Sequence, residues 1–91
     1  MSTAETKLDH YLRRLPGDDI LVDAFDDIGH ICRSRIRGDK VAAFLARLQG
    51  LPHTRTIYCR DTFAPRPANA VVPEAGSEHD RRLTELAEWK V

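Results

Sequence analysis

The apolar residues between positions 18 and 37 recur at spacings that predict one long helix with a wide apolar side. Stepping round this helix at about 100° per residue separates the charged side chains from the apolar ones. The apolar side includes Val22, Phe25, Gly29 and Ile36 and spans roughly 200°, against about 100° for an ordinary surface helix. We therefore expect this helix to be the central element of its fold or part of an oligomer interface.

A second, shorter helix is predicted over residues 39–49. Its apolar residues follow the i, i+3, i+4, i+7 spacing of an inward-facing stripe, and they are Val41, Phe44, Leu45 and Leu48. Gly38 suits the end of the preceding helix, and Asp39 suits an N-cap. The alanines between the stripe residues fit either helix-forming filler or close packing on a second side.

Two further helices are predicted near the ends of the chain. The first covers residues 3–15 and is ended by Pro16 and Gly17, and the last covers residues 78–90. The stripe residues of the first helix are Leu8, Tyr11, Leu12 and Leu15. The sequence therefore predicts a mainly α fold of about four helices, roughly 3–15, 18–37, 39–49 and 78–90, in one domain over 1–91.

The chain between the third and the last of these predicted helices has a different character. Residues 54–63 are rich in β-forming residues and predict a short strand. That strand is expected to pair with residues 70–72 as a two-stranded ribbon, or to accept a partner's strand. Residues 64–77 contain three prolines and predict an extended connection.

Charge and composition argue against nucleic-acid binding, membrane association and secretion. The 91 residues carry 14 basic and 14 acidic side chains, so no overall field attracts nucleic acid or an anionic membrane. No apolar run has the length of a signal peptide or a membrane span. We expect a cytoplasmic protein whose Cys32 and Cys59 are reduced, with Cys32 a small core residue.

Candidate chemistry is sparse. The aspartates at positions 18, 19, 23, 26 and 27 have helical spacing rather than the turn of a calcium loop, so they predict a solvated or partner-binding face. The four histidines and two cysteines lack zinc-finger spacing, and no glycine loop suits a nucleotide. We expect no cofactor, no metal and no enzymatic activity.

One dense basic patch lies where the two central helices are predicted to meet. Arg33, Arg35, Arg37 and Lys40 could bind phosphates, which raises the alternative of a DNA-binding transcriptional regulator. The predicted second helix offers almost no polar side chains to base edges, and the zero net charge gives little electrostatic affinity. Nucleic-acid binding is therefore the less favoured interpretation.

The favoured hypothesis is a small regulatory or adaptor protein that acts by protein–protein contact, as a homodimer. Inhibition of a larger regulator by occlusion is one concrete form of such an activity. The residues predicted to form the partner or dimer interface are Val22, Phe25, Gly29, Ile36, Phe44, Arg33, Arg35 and Arg37.

Overall fold

Strands, not helices, form the centre of the molecule. A computed structural model describes residues 7–64 and 66–89. Within these ranges the elements are β1 Leu8–Arg14, β2 Ile20–Phe25, β3 His30–Ile36, α1 Gly38–Gly50, β4 Thr54–Tyr58, β5 Ala70–Val71 and α2 Glu78–Glu88, with a 3-10 turn at Pro16–Asp18. The described part of the chain is therefore a mixed α/β domain.

The five strands form one mixed sheet in the order β3-β2-β1-β4-β5. The pairs β1–β2 and β2–β3 are antiparallel, whereas β1–β4 and β4–β5 are parallel. The first three strands thus form a meander, and α1 provides the crossover that a parallel β4 needs. This order leaves β3 at one edge of the sheet and the two-residue β5 at the other.

The two helices cover opposite faces of the sheet. Alternate residues of a strand point to opposite faces, so Ile20 and Val22 of β2 belong to the core under α1, and Leu21 belongs to the core under α2. Val41, Leu45 and Leu48 supply the α1 side of the first core, and Leu83 and Leu86 supply the α2 side of the second. The central strands are consequently buried on both faces.

The prediction of a mainly α fold is wrong, and the long helix over 18–37 is the main error. That range contains the 3-10 turn, β2, a turn and β3. A central strand needs apolar residues on both faces, so it reads as a near-continuous apolar run. On a helical wheel the same run appears as a wide apolar side, and short apolar runs do not distinguish strand from helix.

The predicted helix over 3–15 is also wrong for the residues that the structure describes, since Leu8–Arg14 is β1. Residues 3–6 lie outside the described ranges. A spacing of four places two side chains on one side of a helix and equally on one face of a strand. The pairs Leu8–Leu12 and Tyr11–Leu15 both have this spacing. The spacing therefore fits a helix and a strand equally, and the chain forms a strand here.

The remaining elements lie close to their predicted positions. Helix α1 occupies the range predicted as 39–49, and α2 occupies 78–88 of the predicted 78–90, of which residue 90 is not described. Strand β4 lies within 54–63, but it pairs with both β1 and β5 inside the large sheet instead of forming a separate ribbon. No helix in the described ranges is long and apolar enough to cross a bilayer.

A turn between β1 and β2 fixes the start of α1. Gly17 and Asp18 both have positive φ, 79° and 72°. A Cβ on Gly38 would lie 3.0 Å from the Cβ of Asp18, so glycine permits this close approach. The carboxylate of Asp19 then accepts a 2.8 Å hydrogen bond from the Gly38 N–H. Asp19, rather than the predicted Asp39, therefore satisfies a free amide at the helix start.

Candidate interaction surface

Strand β3 is a seven-residue edge whose outer side has no neighbouring strand among the described residues. None of its residues is fully buried. An edge strand presents unpaired N–H and C=O groups on its outer side, which are a template for pairing with another chain. At the opposite edge, β5 is two residues long. The longer template is therefore β3.

An ion pair holds β3 to the centre of the sheet. Asp23 of β2 lies opposite Arg33 of β3 and is 2% exposed. The Arg33 Nε and Nη2 atoms donate to the two carboxylate oxygens of Asp23 at 2.6 and 2.8 Å, and this pairing raises the pKa of Arg33. Nε2 of His30 lies 3.3 Å from the same carboxylate. The buried carboxylate thus has two partners on the edge strand.

Arg33 also links the edge strand to the end of α2. Its guanidinium lies 4.2 Å from the ring centroid of Trp89, which directly follows α2. A guanidinium over an indole face gains a cation–π attraction. The Trp89 side chain is about half exposed, so this contact lies at the surface.

The other two arginines of the predicted interface are paired with carboxylates of their own chain. Arg35 donates to Asp19 at 2.9 Å, and Arg37 lies 3.5 Å from Asp39. The hydrogen bond from the Gly38 amide is the main cause that lowers the pKa of Asp19, and the hydrogen bond from Arg35 is the second. The charges of Arg35 and Arg37 are therefore offset locally, which weakens the basis for phosphate binding.

The turn before β3 places apolar side chains in water. Asp26 Oδ1 accepts from the N–H groups of Ile28 and Gly29 at 2.8 and 2.9 Å, and these two bonds lower the pKa of Asp26. The Ile28 side chain is 96% exposed at the tip of this turn. A register shift then leaves Ile31 as a bulge residue that is 53% exposed.

An apolar shelf with two cations lies beside β3 on the α1 side. A cavity of about 300 Å³ is lined by Ile36, Lys40, Ala43, Phe44 and Arg47, and we call these five residues the α1 shelf. Ile36 and Phe44 are half-buried against the core under α1. Neither Lys40 nor Arg47 has an ion pair within the described ranges. Strand β3 and the α1 shelf together form what we call the edge surface.

The structure separates the eight residues that were predicted to form one interface. Ile36 and Phe44 lie in the α1 shelf, and the three arginines lie on or directly after β3. Gly29 lies in the turn before β3. Val22 is 5% exposed in the core under α1, and Phe25 packs edge-to-face on Tyr11 on the other face of the sheet. Neither Val22 nor Phe25 belongs to the edge surface.

Sequence reasoning missed Ile28, Ile31 and Arg47. A usable signal was present, because residues 26–29 read Asp-Asp-Ile-Gly between two runs of strand length. Asp and Gly clusters between such runs predict a hairpin. A hairpin here would have placed Ile28 in an exposed turn.

The two cysteines are both free, and their positions differ from the prediction. Cys32 is exposed on β3 rather than in the core, while Cys59 is buried, and burial raises the pKa of the Cys59 thiol. Within residues 7–64 and 66–89, no three His, Cys, Asp or Glu side chains are grouped so that they could hold a metal ion.

A buried polar cluster under α2 fixes that helix on the sheet. The Tyr11 hydroxyl is fully buried, lies 2.7 Å from Nδ1 of His79 and accepts from Arg82 at 2.9 Å. The Tyr58 ring stacks on His79 with a centroid distance of 4.3 Å. Burial raises the pKa of Tyr11. This cluster joins β1, β4 and α2 and is closed by its own hydrogen bonds.

Comparison of the chain with protein-family models, with curated proteins and with solved structures finds no match.

Proposed function

We propose that this protein is a small regulatory or adaptor protein that acts by protein–protein contact through its edge surface. The observation that carries the proposal is the seven-residue β3, whose outer side has no neighbouring strand in residues 7–64 and 66–89, directly beside the α1 shelf. Occlusion of a site on a larger regulator is one form that this contact would take.

The mode of contact that fits this surface is addition of an extended partner segment to β3. In such β-augmentation, main-chain hydrogen bonds supply affinity and pockets for alternate side chains supply specificity. Ile36 and Phe44 of the α1 shelf offer an apolar contact to one such side chain. The cations of Lys40 and Arg47 beside them favour a segment that carries carboxylates.

Charge argues for a different protein as the occupant of this edge, rather than a second copy of β3. Strand β3 contains His30, Arg33 and Arg35 and no carboxylate. Antiparallel pairing of two such strands would bring like charges opposite one another, which is destabilising, and the ion pairs of Arg33 with Asp23 and of Arg35 with Asp19 reduce this repulsion. A homodimer was expected because the predicted helix over 18–37 had a wide apolar side. In the structure α1 and α2 cover both faces of β2. The apolar residues of β2 therefore do not need a second copy to bury them.

Sedimentation of the free protein separates these two occupants. A monomer at high micromolar concentration is expected if β3 is reserved for another protein. A dimer whose formation is abolished by Ile31→Lys, at the edge, would instead assign β3 to a second copy. No contact among the described residues favours the DNA-binding alternative.

Selection from a displayed library of random peptides tests the proposal directly. We expect the selected peptides to be rich in Asp and Glu around one apolar residue. The double variant Lys40→Glu/Arg47→Glu is expected to reduce their affinity by about tenfold or more, because two attractive pairs become repulsive.

The matched control is Arg81→Glu, an exposed charge reversal on α2 at the opposite face of the sheet. This variant should bind the selected peptides as the native protein does. Equal losses in the control and the double variant would show a response to net charge alone and would contradict binding at the edge surface.

A further inference from the structure

Strand β3 has two faces, because alternate residues of a strand point to opposite sides of the sheet. Directly paired residues of neighbouring antiparallel strands share a face. Ile36 pairs with Ile20, which belongs to the core under α1. Arg35 pairs with Leu21, which belongs to the core under α2. We call these two sides of β3 the α1 face and the α2 face, and a strand added to β3 presents its side chains to them alternately.

Regular pairing of β3 with β2 covers five consecutive residues, since Ile31 forms a bulge before them. These five residues alternate, with Cys32, Ser34 and Ile36 on the α1 face and Arg33 and Arg35 on the α2 face. About five residues is an ordinary length for a strand. A short extended segment of a partner is therefore enough to cover this run.

The α1 face offers apolar surface with free cations beside it. Cys32 and Ser34 are small and exposed, so a partner side chain above them reaches the α1 shelf without obstruction. Lys40 and Arg47 of the shelf have no ion pair within residues 7–64 and 66–89. A partner side chain on this face therefore meets an apolar contact flanked by uncompensated positive charge.

The α2 face offers an aromatic surface instead. Arg33 and Arg35 are held by Asp23 and Asp19 of the same chain, so their charges are already offset. The ring of Trp89 lies on this face, with its centroid 4.2 Å from the Arg33 guanidinium. About half of the Trp89 side chain is exposed. Apolar indole surface is therefore in contact with water beside the edge strand.

The backbone around Trp89 holds its ring in this position. The Trp89 N–H donates to the Leu86 carbonyl at 3.3 Å, at the end of α2. Arg13 Nη1 donates to the carbonyls of Trp89 and Leu86 at 2.7 and 3.0 Å. A side chain on an ordered backbone loses less conformational entropy when it binds. Trp89 is therefore prepared for contact, and tryptophan is enriched among the residues that dominate binding energy at interfaces.

The positions of the α1 shelf and Trp89 set a spacing for the partner segment. A side chain opposite Ile36 lies on the α1 face beside the shelf, and a side chain opposite Arg33 lies on the α2 face beside Trp89. These two positions are three residues apart along β3 and along a strand paired with it. A spacing of four residues would put both side chains on one face.

We infer that the protein partner binds through an extended segment in which a large apolar residue lies three positions from the residue that the α1 shelf binds, and that Trp89 contacts this second apolar residue. The carboxylates that face Lys40 and Arg47 lie two positions from the shelf residue, because those positions share its face. Burial of the second apolar side chain on the indole is favourable. This inference rests on the proposed function and specifies the partner segment of the same edge surface.

Peptides selected on the native protein from a displayed random library test the spacing. Large apolar residues should be enriched three positions from the shelf residue and not four. Selection on Trp89→Ala should lose this enrichment and keep the carboxylates. Selected peptides that lack the three-residue spacing would overturn this inference while edge binding stands, whereas failure to select any peptide would overturn the proposed function.

The fluorescence of Trp89 reports on the contact, because it is the only tryptophan of the chain. Saturation with a selected peptide that has no tryptophan should shift the emission to shorter wavelength, since the indole leaves water. Replacing the second apolar residue of that peptide by serine should remove the shift and weaken binding about tenfold. Unchanged emission at saturation would show that Trp89 stays in water and would contradict the contact.

Substitutions in the protein complete the test. Trp89→Ala should weaken binding of the same peptide about tenfold, whereas Trp89→Phe should retain most of the affinity because it keeps an aromatic ring. The matched control Val71→Ala removes an exposed apolar side chain at the opposite edge of the sheet and should bind as the native protein does. Both positions are exposed, so circular dichroism should show a native fold in each variant. Undiminished binding by folded Trp89→Ala would overturn the inference.

Discussion

Strands β2 and β3 belong to one hairpin, yet they differ in almost every physical respect. Strand β2, Ile-Leu-Val-Asp-Ala-Phe, is buried except for its last residue, and β3, His-Ile-Cys-Arg-Ser-Arg-Ile, has no fully buried residue. β2 supplies apolar side chains to both cores, whereas β3 is joined to it by the contact of Arg33 with Asp23. Buried apolar contacts hold the central strand β2 in place, whereas an ion pair attaches the side chains of the edge strand β3.

This difference assigns separate roles to the two strands. Substitutions in β2 should act on stability, because α1 and α2 both pack against it. Substitutions on the outer parts of β3 should leave stability almost unchanged and act on binding.

The largest difference is expected between two isoleucines of the hairpin. Ile20→Ala in β2 should lower the free energy of unfolding by about 3 kcal/mol, since a fully buried side chain leaves a cavity. Ile31→Ala in β3 should change it by less than about 0.5 kcal/mol, as is usual for exposed positions. Urea denaturation followed by circular dichroism measures both. Equal losses would show that β3 is buried in solution by a second chain.

A smaller loss is expected when the buried carboxylate that joins the strands is neutralised. Asp23→Asn should lower the free energy of unfolding by about 2 kcal/mol. This loss is below the usual 3–5 kcal/mol for breaking a buried ion pair, because Arg33 has access to water.

The control for this variant is Asp27→Asn, at an exposed carboxylate that pairs with Arg55. A surface pair of this kind contributes within about 0.5 kcal/mol. If urea denaturation shows the same small loss of unfolding free energy for both variants, backbone pairing alone holds β3 on the sheet.

The smallest effect concerns a histidine in the interior of the sheet. His10 lies between Ala24 of β2 and Ile57 of β4, and its Nδ1 has no hydrogen-bond partner among the residues that the structure describes. Burial lowers the pKa of His10 below its ordinary value of 6.5, and the nearby Asp9 carboxylate partly opposes this shift. Because the unfolded chain then binds the proton more readily, stability is full above pH 6.5 and falls as the pH drops below it.

The variant His10→Leu should show a flatter dependence of unfolding free energy on pH between 7.5 and 5. The difference between native and variant slopes isolates His10 from the other histidines. Parallel curves would mean that His10 is not desolvated in solution.

Helices α1 and α2 were predictable because each combines an apolar stripe at helical spacing with local start and stop residues. Val41, Leu45 and Leu48 give that stripe in α1, and Ser77 caps α2 by accepting from the Asp80 amide at 3.1 Å. Signals of this kind lie within a few residues of the chain, so one sequence contains them.

The meander was not predicted, because its signals are ambiguous at short range. The apolar run of β2 fits a helix face and a doubly buried strand equally well. Which strand lies at the edge depends on the pairing order of the whole sheet, which no local pattern determines. The same holds for residues that are distant in the chain, such as Arg14 and Arg60, which come to the same end of the sheet only through the parallel pairing of β4 with β1.

Amide hydrogen exchange, measured by NMR with and without a selected acidic peptide, tests the central claim most directly. The amides of β2 should exchange slowly in both states, because β2 is paired on both sides. The outward-pointing amides of β3 should exchange fast in the free protein and become protected when the peptide binds. Protection of β3 in the free protein, or unchanged exchange with bound peptide, would contradict the assignment of β3 as the interaction edge.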